Sequence, residues 1–397
     1  MILALTAMNT FNYIDRYVLS ALLPSIQADL HLDDTQGGML GTAFMVVYFL
    51  VSPLFGWLGD RGERRRWLTF GVLFWSLATL ATGFATSFVG LCLCRAAVGI
   101  GEAAYSSIAP AMLADATPAA RRGRIMAYFY VATPVGSALG YILGGYLGSR
   151  WGWRPAFQWL AWPGVVLAWV AYRLPQPART PTTTPGTERL GPRAVYTALW
   201  HNRSYVGAVT GYIANIFALG GLAFWMPTYM IRERGWPAKS GLIIFGSITV
   251  VSGLIGTLAG GFLSERLLRS TDKAYIWICV GAMMGAAGGT ALALASNHPQ
   301  VFLMSLVFAQ FSMFMCTGPI NAWLVGSVPA AMRATAMATS TFFIHLLGDA
   351  ISPILIGRIS DRANLATAMG MIPLFFVLAG VLWSRMLFKE TAPRLSH

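Results

Sequence analysis

Polar residues in this chain are bunched, and long apolar runs separate the bunches. A helix needs about 20 apolar residues to cross a bilayer core. On that rule the pattern predicts twelve membrane helices, near residues 1–23, 36–59, 67–86, 88–114, 123–149, 155–173, 204–231, 239–264, 274–296, 300–328, 334–357 and 366–388. No Asp, Glu, Lys or Arg occurs between Lys273 and Arg333, and Asn297-His298-Pro299 supplies the turn that divides this stretch into two crossings. The longest polar interruption is rich in Pro, Thr and Arg and reads as a linker. Within it, Tyr196 to His201 is expected to form a short helix on the membrane surface.

The linker divides the pattern evenly. The expected architecture is an all-α integral membrane protein of two six-helix, pseudo-symmetric halves, 1–173 and 204–397, joined by a cytoplasmic linker, 174–203. An internal repeat supports this division. PAARRGRIMA (118–127) aligns without gaps to PAAMRATAMA (329–338), with six of ten positions identical, Arg122 and Arg333 among them. A weaker echo pairs GWLGDR (56–61) with GFLSER (261–266). Parallel six-helix repeats are a transporter architecture, with the substrate site between halves near the bilayer midplane.

Composition agrees. Charged residues make up 11% of the chain and hydrophobic ones 56%, against about 25% charged for a soluble domain. The net charge of +13 does not point to nucleic acid, because the basic residues lie between the apolar runs rather than in one patch. Nineteen Lys and Arg fall on one side of the expected membrane and seven on the other, with Arg16 and Arg95 inside it. That bias places both termini in the cytoplasm, and the first outer loop, with Asp29, His31, Asp33 and Asp34, carries no basic residue. The N-terminus has no basic region ahead of its apolar run, so no signal peptide is read. Cys92, Cys94, Cys279 and Cys316 sit in apolar runs without metal or disulfide spacing and read as small apolar side chains. No cofactor and no metal is expected.

The candidate chemistry lies in charges that interrupt apolar helices. Arg95 and Glu102 are seven residues apart, which puts both on one helix face. Asp15 and Arg16 interrupt the first run. A charge in the bilayer is costly unless it faces a partner or a watery cavity, so its default reading is functional. Arg95 and Glu102 need not touch, since each can pair across to Asp15 or Arg16; a purely structural ion pair is the alternative. Tyr212, Asn215 and Asn321 are candidate cavity-lining groups or bonds between helices. His345 and Asp349, four apart on one face, are candidates for an outer gate or a second-half polar site, against a packing role for the histidine. The glycines at 136, 140 and 144 form a small-residue face, expected to meet a helix of the other half. Gly99-x-Gly101-x-x-Ala104 is no dinucleotide motif, because it lacks the βαβ context.

The loop Gly56-Trp57-Leu58-Gly59-Asp60-Arg61-Gly62-Glu63-Arg64-Arg65-Arg66 resembles the signature of the major facilitator superfamily, although Glu63 stands where that pattern has Gly. The resemblance implies a cytoplasmic latch between halves, here Gly56, Asp60, Arg61 and Arg64, with Arg122, Glu265 and Arg333 at equivalent or facing positions. Arg95 followed by Gly99 is similar to the same family's fourth-helix pattern. Asn12-Tyr13-x-Asp15-Arg16, Gly99-x-Gly101-Glu102-Ala103 and Leu347-Gly348-Asp349-Ala350 together resemble the spinster-like branch. That resemblance implies a lipid-like substrate with a charged head group, sphingosine phosphate or a lysophospholipid. It also implies that Asp15, Arg16, Arg95 and Glu102 form a buried polar cluster.

The combined expectation is a secondary transporter in the plasma (inner) membrane, working by alternating access as a monomer and coupled to protons. Glu102 and Asp15 are the expected proton carriers, and Arg16, Arg95, Asn12, Tyr212, Asn215 and Asn321 the substrate-binding groups. A small organic-anion or sugar-acid proton symporter is the alternative. A lipid enzyme lacks a nucleophile motif or metal cluster, and a channel lacks a pore loop or ring of like charges.

Overall fold

The computed structural model describes residues 1–176, 192–329 and 332–388. The helices are α1 (Ile2–Leu30), α2 (Asp34–Arg61), α3 (Arg64–Thr82), α4 (Phe88–Asp115), α5 (Ala119–Tyr130), α6 (Ala132–Trp151), α7 (Trp153–Arg173), α8 (Pro192–His201) and α9 (Arg203–Arg232). They continue as α10 (Ala238–Leu268), α11 (Ala274–Ala295), α12 (Pro299–Met315), α13 (Thr317–Gly326), α14 (Arg333–Ile344), α15 (Ser352–Arg362), α16 (Leu365–Met369) and α17 (Met371–Ser384). A π-turn, His345–Asp349, joins α14 to α15. The described residues contain no strand. Much of the expected linker, 177–191, lies outside the described residues.

Each expected crossing is helical, and eight stretches are long and apolar enough to span a bilayer on those criteria alone. Two of the segments that fall short carry charged residues. α1 holds Asp15 and Arg16, and α3 opens on three arginines. α1 also runs past its expected end through Pro24 to Leu30. A proline is tolerated in a membrane helix where neighbours satisfy the freed backbone groups. Four expected crossings are interrupted, and three breaks sit near a proline that cannot donate to the carbonyl four residues back: Pro134 after Tyr130, Pro319 after Met315 and Pro353 after Asp349. The fourth, between α16 and α17, falls at Gly370 with Pro373 just beyond.

Two compact units make up the chain. The first comprises the described residues within Met1–Thr182, Ala223–Val250 and Pro353–Ala368. In it α4 lies against both α2 and α3. Glycine makes that possible: a Cβ at Gly101 would fall 2.6 Å from the Gly71 carbonyl and 2.6 Å from the Trp75 nitrogen. A Cβ at Gly99 would fall 2.6 Å from the Phe44 carbonyl. The glycine face of α6 packs on α1, at Thr10, Tyr13, Ile14, Tyr17 and Ala21, rather than on a helix of the other half as the spacing suggested. A stripe of period four selects one neighbour, and α1 fills it. The adjacent stripe, Ala138, Ile142 and Gly145, meets Gly246 and Leu242 of α10.

The same unit contains an ionic hub that sequence reasoning did not identify. Arg232 grips Asp34 with two bonds of 2.8 and 2.6 Å. Gln27 donates to Asp34 at 2.8 Å, and the Ser360 hydroxyl donates to its other oxygen. Asp361 caps the first turn of α2, accepting from the backbone nitrogens of Asp34 and Thr35 at 2.8 and 2.7 Å. Pro227 leaves the Ala223 carbonyl of α9 without its helical donor. Tyr141 supplies a donor instead, at 2.7 Å, and Ser20 shares its hydroxyl between this carbonyl, at 3.1 Å, and that of Phe224, at 2.5 Å.

The second unit comprises the described residues within Thr183–Leu222, Val251–Ser352 and Met369–His397. There α11 packs on α12 and α17, and Phe217 stacks on Phe375 at 3.8 Å. α8 covers the expected surface helix and starts earlier. Its Val195 and Leu199, one turn apart, are buried, and Trp200 meets Phe343 edge-on at 5.4 Å.

Gly101→Val is expected to lower thermal stability in detergent by about 1–3 kcal/mol, because overpacking forces α3 from α4. Gly261→Val, where a Cβ meets nothing within 4 Å, is expected to leave the melting temperature within experimental error. Equal melting curves for the two variants would contradict the packing argument.

Candidate functional site

The four embedded charges converge in the first unit. Arg16 reaches from α1 to Glu102 on α4, with Nη2 3.0 Å and Nε 3.1 Å from the same carboxylate oxygen. Glu102 is fully buried, and Asp15 and Arg95 are 3% and 2% exposed, which places three charged side chains wholly out of solvent. Asp15 and Arg16 are neighbours in sequence, so on a helix they diverge by about 100°. Asp15 consequently turns to α3, where Thr79 donates to it at 3.3 Å, while Arg16 turns to α2 and α4.

Arg95 makes no ion pair within 4 Å among the described residues. It is within electrostatic range of both Asp15 and Glu102. Its guanidinium lies 5.0 Å from the centre of the Phe44 ring. Arg16 lies 5.1 Å from that same ring, and 5.2 and 5.0 Å from the rings of Tyr13 and Tyr48. Such cation–π contacts contribute about 0.5–2 kcal/mol each, more where water is excluded. Tyr48 is held by a 2.7 Å bond to the Ser106 hydroxyl. The two arginines and two carboxylates sum to zero charge, which lowers the cost of placing them in a low dielectric.

Polar capacity remains in the cluster. Asn12 Nδ2, Asp15 Oδ1, Glu102 Oε1 and Arg95 Nε are buried and make no hydrogen bond of good geometry among the described residues, although Asn12 lies within reach of Glu102 and Trp75 within reach of Asp15. Asn12 lies one turn before Arg16 on α1. A buried polar group left without a partner costs roughly 1–3 kcal/mol.

The other expected residues fall into separate places. Tyr212 is within electrostatic range of Asn321, Cys316, Cys279 and Asp349 in the second unit. Asn321 donates to the Thr317 carbonyl at 2.8 Å, and buried Asn215 has an unpartnered Oδ1. His345 Nδ1 lies 2.9 Å from Asp349, across a π-turn whose defining bond runs from the Ala350 nitrogen to the His345 carbonyl. π-turns inside helices are frequent at functional sites. The ionic hub at the start of α2 uses none of these residues.

The expected latch is only partly in view. The side chains of Asp60 and Arg122 lie outside the described set. Arg64 pairs with Asp115 at the end of α4 and donates from Nε to the Gly59 carbonyl at 3.3 Å. Arg61 stacks on Trp57 at 4.5 Å. Gly56 has open space where a Cβ would go, and Glu265 and Arg333 are exposed without an ion pair among the described residues.

The profile of the Major Facilitator Superfamily matches residues 5–353. Protein spinster homolog 1 of Xenopus tropicalis is 34% identical over 404 residues, an alignment covering 95% of this chain and 74% of that protein. The sphingosine-1-phosphate transporter SPNS2 of Danio rerio is 33% identical over 411 residues, covering 94% and 81%. The chain belongs to the spinster branch of the major facilitator superfamily. It is a multi-pass membrane transporter rather than an enzyme. Among solved structures, a bacterial homologue of the human lysosomal transporter Spinster superposes with a TM-score of 0.86 at 22% identity, covering 96% of this chain and 95% of that one. A D-xylose–proton symporter superposes at 0.77 with 18% identity, covering 96% of each chain. Both agree with this fold.

Arg16 and Glu102 are expected to be strongly coupled. Arg16→Met alone strands a buried carboxylate and is expected to cost about 3–5 kcal/mol, whereas Arg16→Met with Glu102→Gln recovers most of that loss. A double-mutant cycle on melting temperature measures the coupling, and additive losses would show that the pair does not act as a unit.

Proposed function

We propose that this spinster transporter moves a lipid-like amphiphile with an anionic head group by alternating access, coupled to protons. The relative that transports sphingosine-1-phosphate supports that substrate class. The observation that carries the coupling is the fully buried Glu102 paired with Arg16, beside an Arg95 that has no ion pair among the described residues. Protonating Glu102 removes one negative charge from a neutral cluster. Arg16 is then without its anion, and the cluster, with one excess positive charge, attracts an anionic head group. Returning the proton restores the internal pair and weakens the hold on the head group. Asp15, with one unpartnered oxygen, is the second acid in this exchange. Asn12 supplies a hydrogen-bond donor beside it. Tyr212, Asn215 and Asn321 are the proposed contacts from the second half, and His345 with Asp349 a second polar site there.

The reading keeps two six-helix halves, both termini in the cytoplasm of a plasma (inner) membrane, and a functional monomer. In that orientation the hub of Asp34, Arg232, Ser360 and Asp361 lies on the outer side. It acts as the outer gate, and the Asp60 loop as the inner latch.

The test uses purified protein in proteoliposomes, with radiolabelled sphingosine phosphate and an imposed pH gradient. Gradient-driven uptake above empty liposomes is expected, reduced at least about tenfold by Glu102→Gln, which cannot release a proton. Full gradient-driven uptake by that variant would remove the coupling role. Uptake of sugar acids but not of the lipid would favour the small organic-anion reading.

A further inference from the structure

We propose that Phe44 is a positioning residue for the charge cluster: one ring receives the guanidinium groups of both Arg16 and Arg95 and sets which of them pairs with Glu102. The inference rests on the coupling reading above. Two like charges drawn to one buried site repel each other, and a ring between or beside them offers both an attractive surface without taking a proton or a hydrogen bond. The distances are 5.1 Å to Arg16 and 5.0 Å to Arg95, and Phe44 is 2% exposed.

The two arginines depend on this ring unequally. Arg16 also meets Tyr13 and Tyr48 and bonds to Glu102. Arg95 meets no other ring and makes no ion pair among the described residues. Phe44 is therefore the contact that keeps Arg95 in reserve, close to both carboxylates and bonded to neither. Its own position is fixed by the backbone. Gly99, one turn after Arg95, brings α4 so close to α2 that a Cβ there would lie 2.6 Å from the Phe44 carbonyl and 3.2 Å from the Tyr48 nitrogen. Phe44 and Tyr48 are one turn apart on α2, with ring centres 5.8 Å apart, so the two rings form a single aromatic wall.

Leucine or methionine at this position keeps the apolar packing and removes the ring. Arg95 is then free to compete with Arg16 for Glu102, and the protonation behaviour of the cluster changes even where the fold does not.

The readout is the melting temperature of the full-length purified protein as a function of pH, which needs no substrate. The contribution of the cluster is the inflection that Glu102→Gln removes from the wild-type curve. Phe44→Leu is expected to move that inflection by at least about half a pH unit, the scale of one cation–π contact, and Phe44→Tyr and Phe44→Trp to restore it. Phe44→Met repeats the test if the leucine variant is not recovered. Phe55→Leu, on the same helix but packed against Trp67 and Phe70, is expected to lower the whole curve without moving the inflection. An inflection unmoved in Phe44→Leu or Phe44→Met, or moved equally by the tyrosine variant, overturns the positioning role alone. A wild-type curve with no inflection sensitive to Glu102→Gln overturns the coupling reading and this inference with it.

Discussion

A salt bridge inside the membrane, Arg16 to Glu102 at 3.0 Å, is the constraint on which the rest of the first unit depends. Neither charge is tolerable alone in a low dielectric, so the helices that carry them must be held in register. α4 achieves this through glycine rather than through large side chains. Gly99 and Gly101 place its backbone directly on α2 and α3, and α1 rests on the glycine face of α6. The packing is tight where the charges need fixed distances, and the unpartnered polar atoms sit within that rigid frame.

The contrast with the ionic hub is instructive. At Asp34 both oxygens are engaged, by Arg232, Gln27 and Ser360. A carboxylate with both oxygens engaged fixes the helix ends that it joins. In the buried cluster, by contrast, one oxygen each of Asp15 and Glu102 and the Nε of Arg95 make no hydrogen bond of good geometry among the described residues. In a low dielectric, hydrogen bonds to such groups are stronger than in water. The two sites use the same residue types, and they differ in how many partners surround each carboxylate.

Backbone groups also join the helices of the first unit. Pro227 frees the Ala223 carbonyl, and Tyr141 and Ser20 capture it. Bonds of this kind tie α1 and α6 to α9 at its proline.

The sequence by itself determined the class of protein, the crossings and the identity of the four embedded charges. Length of apolar run, basic-residue bias and a charge inside an apolar helix are local signals with large energies behind them. The joining of Arg16 to Glu102 was open in the sequence, because helical spacing fixes the face of a residue and not the helix it meets. Only tertiary structure decided that pairing, the turn of Asp15 toward Thr79, and the sharing of Phe44 by two arginines. The hub was hidden for the same reason: Asp34, Arg232 and Asp361 each sit at a helix end, where charged residues are ordinary. The glycine face of α6 showed the same limit, since a small-residue stripe announces a close neighbour without naming it. Which neighbour fills such a stripe depends on the shapes of all the helices packed together, and no single helix carries that information.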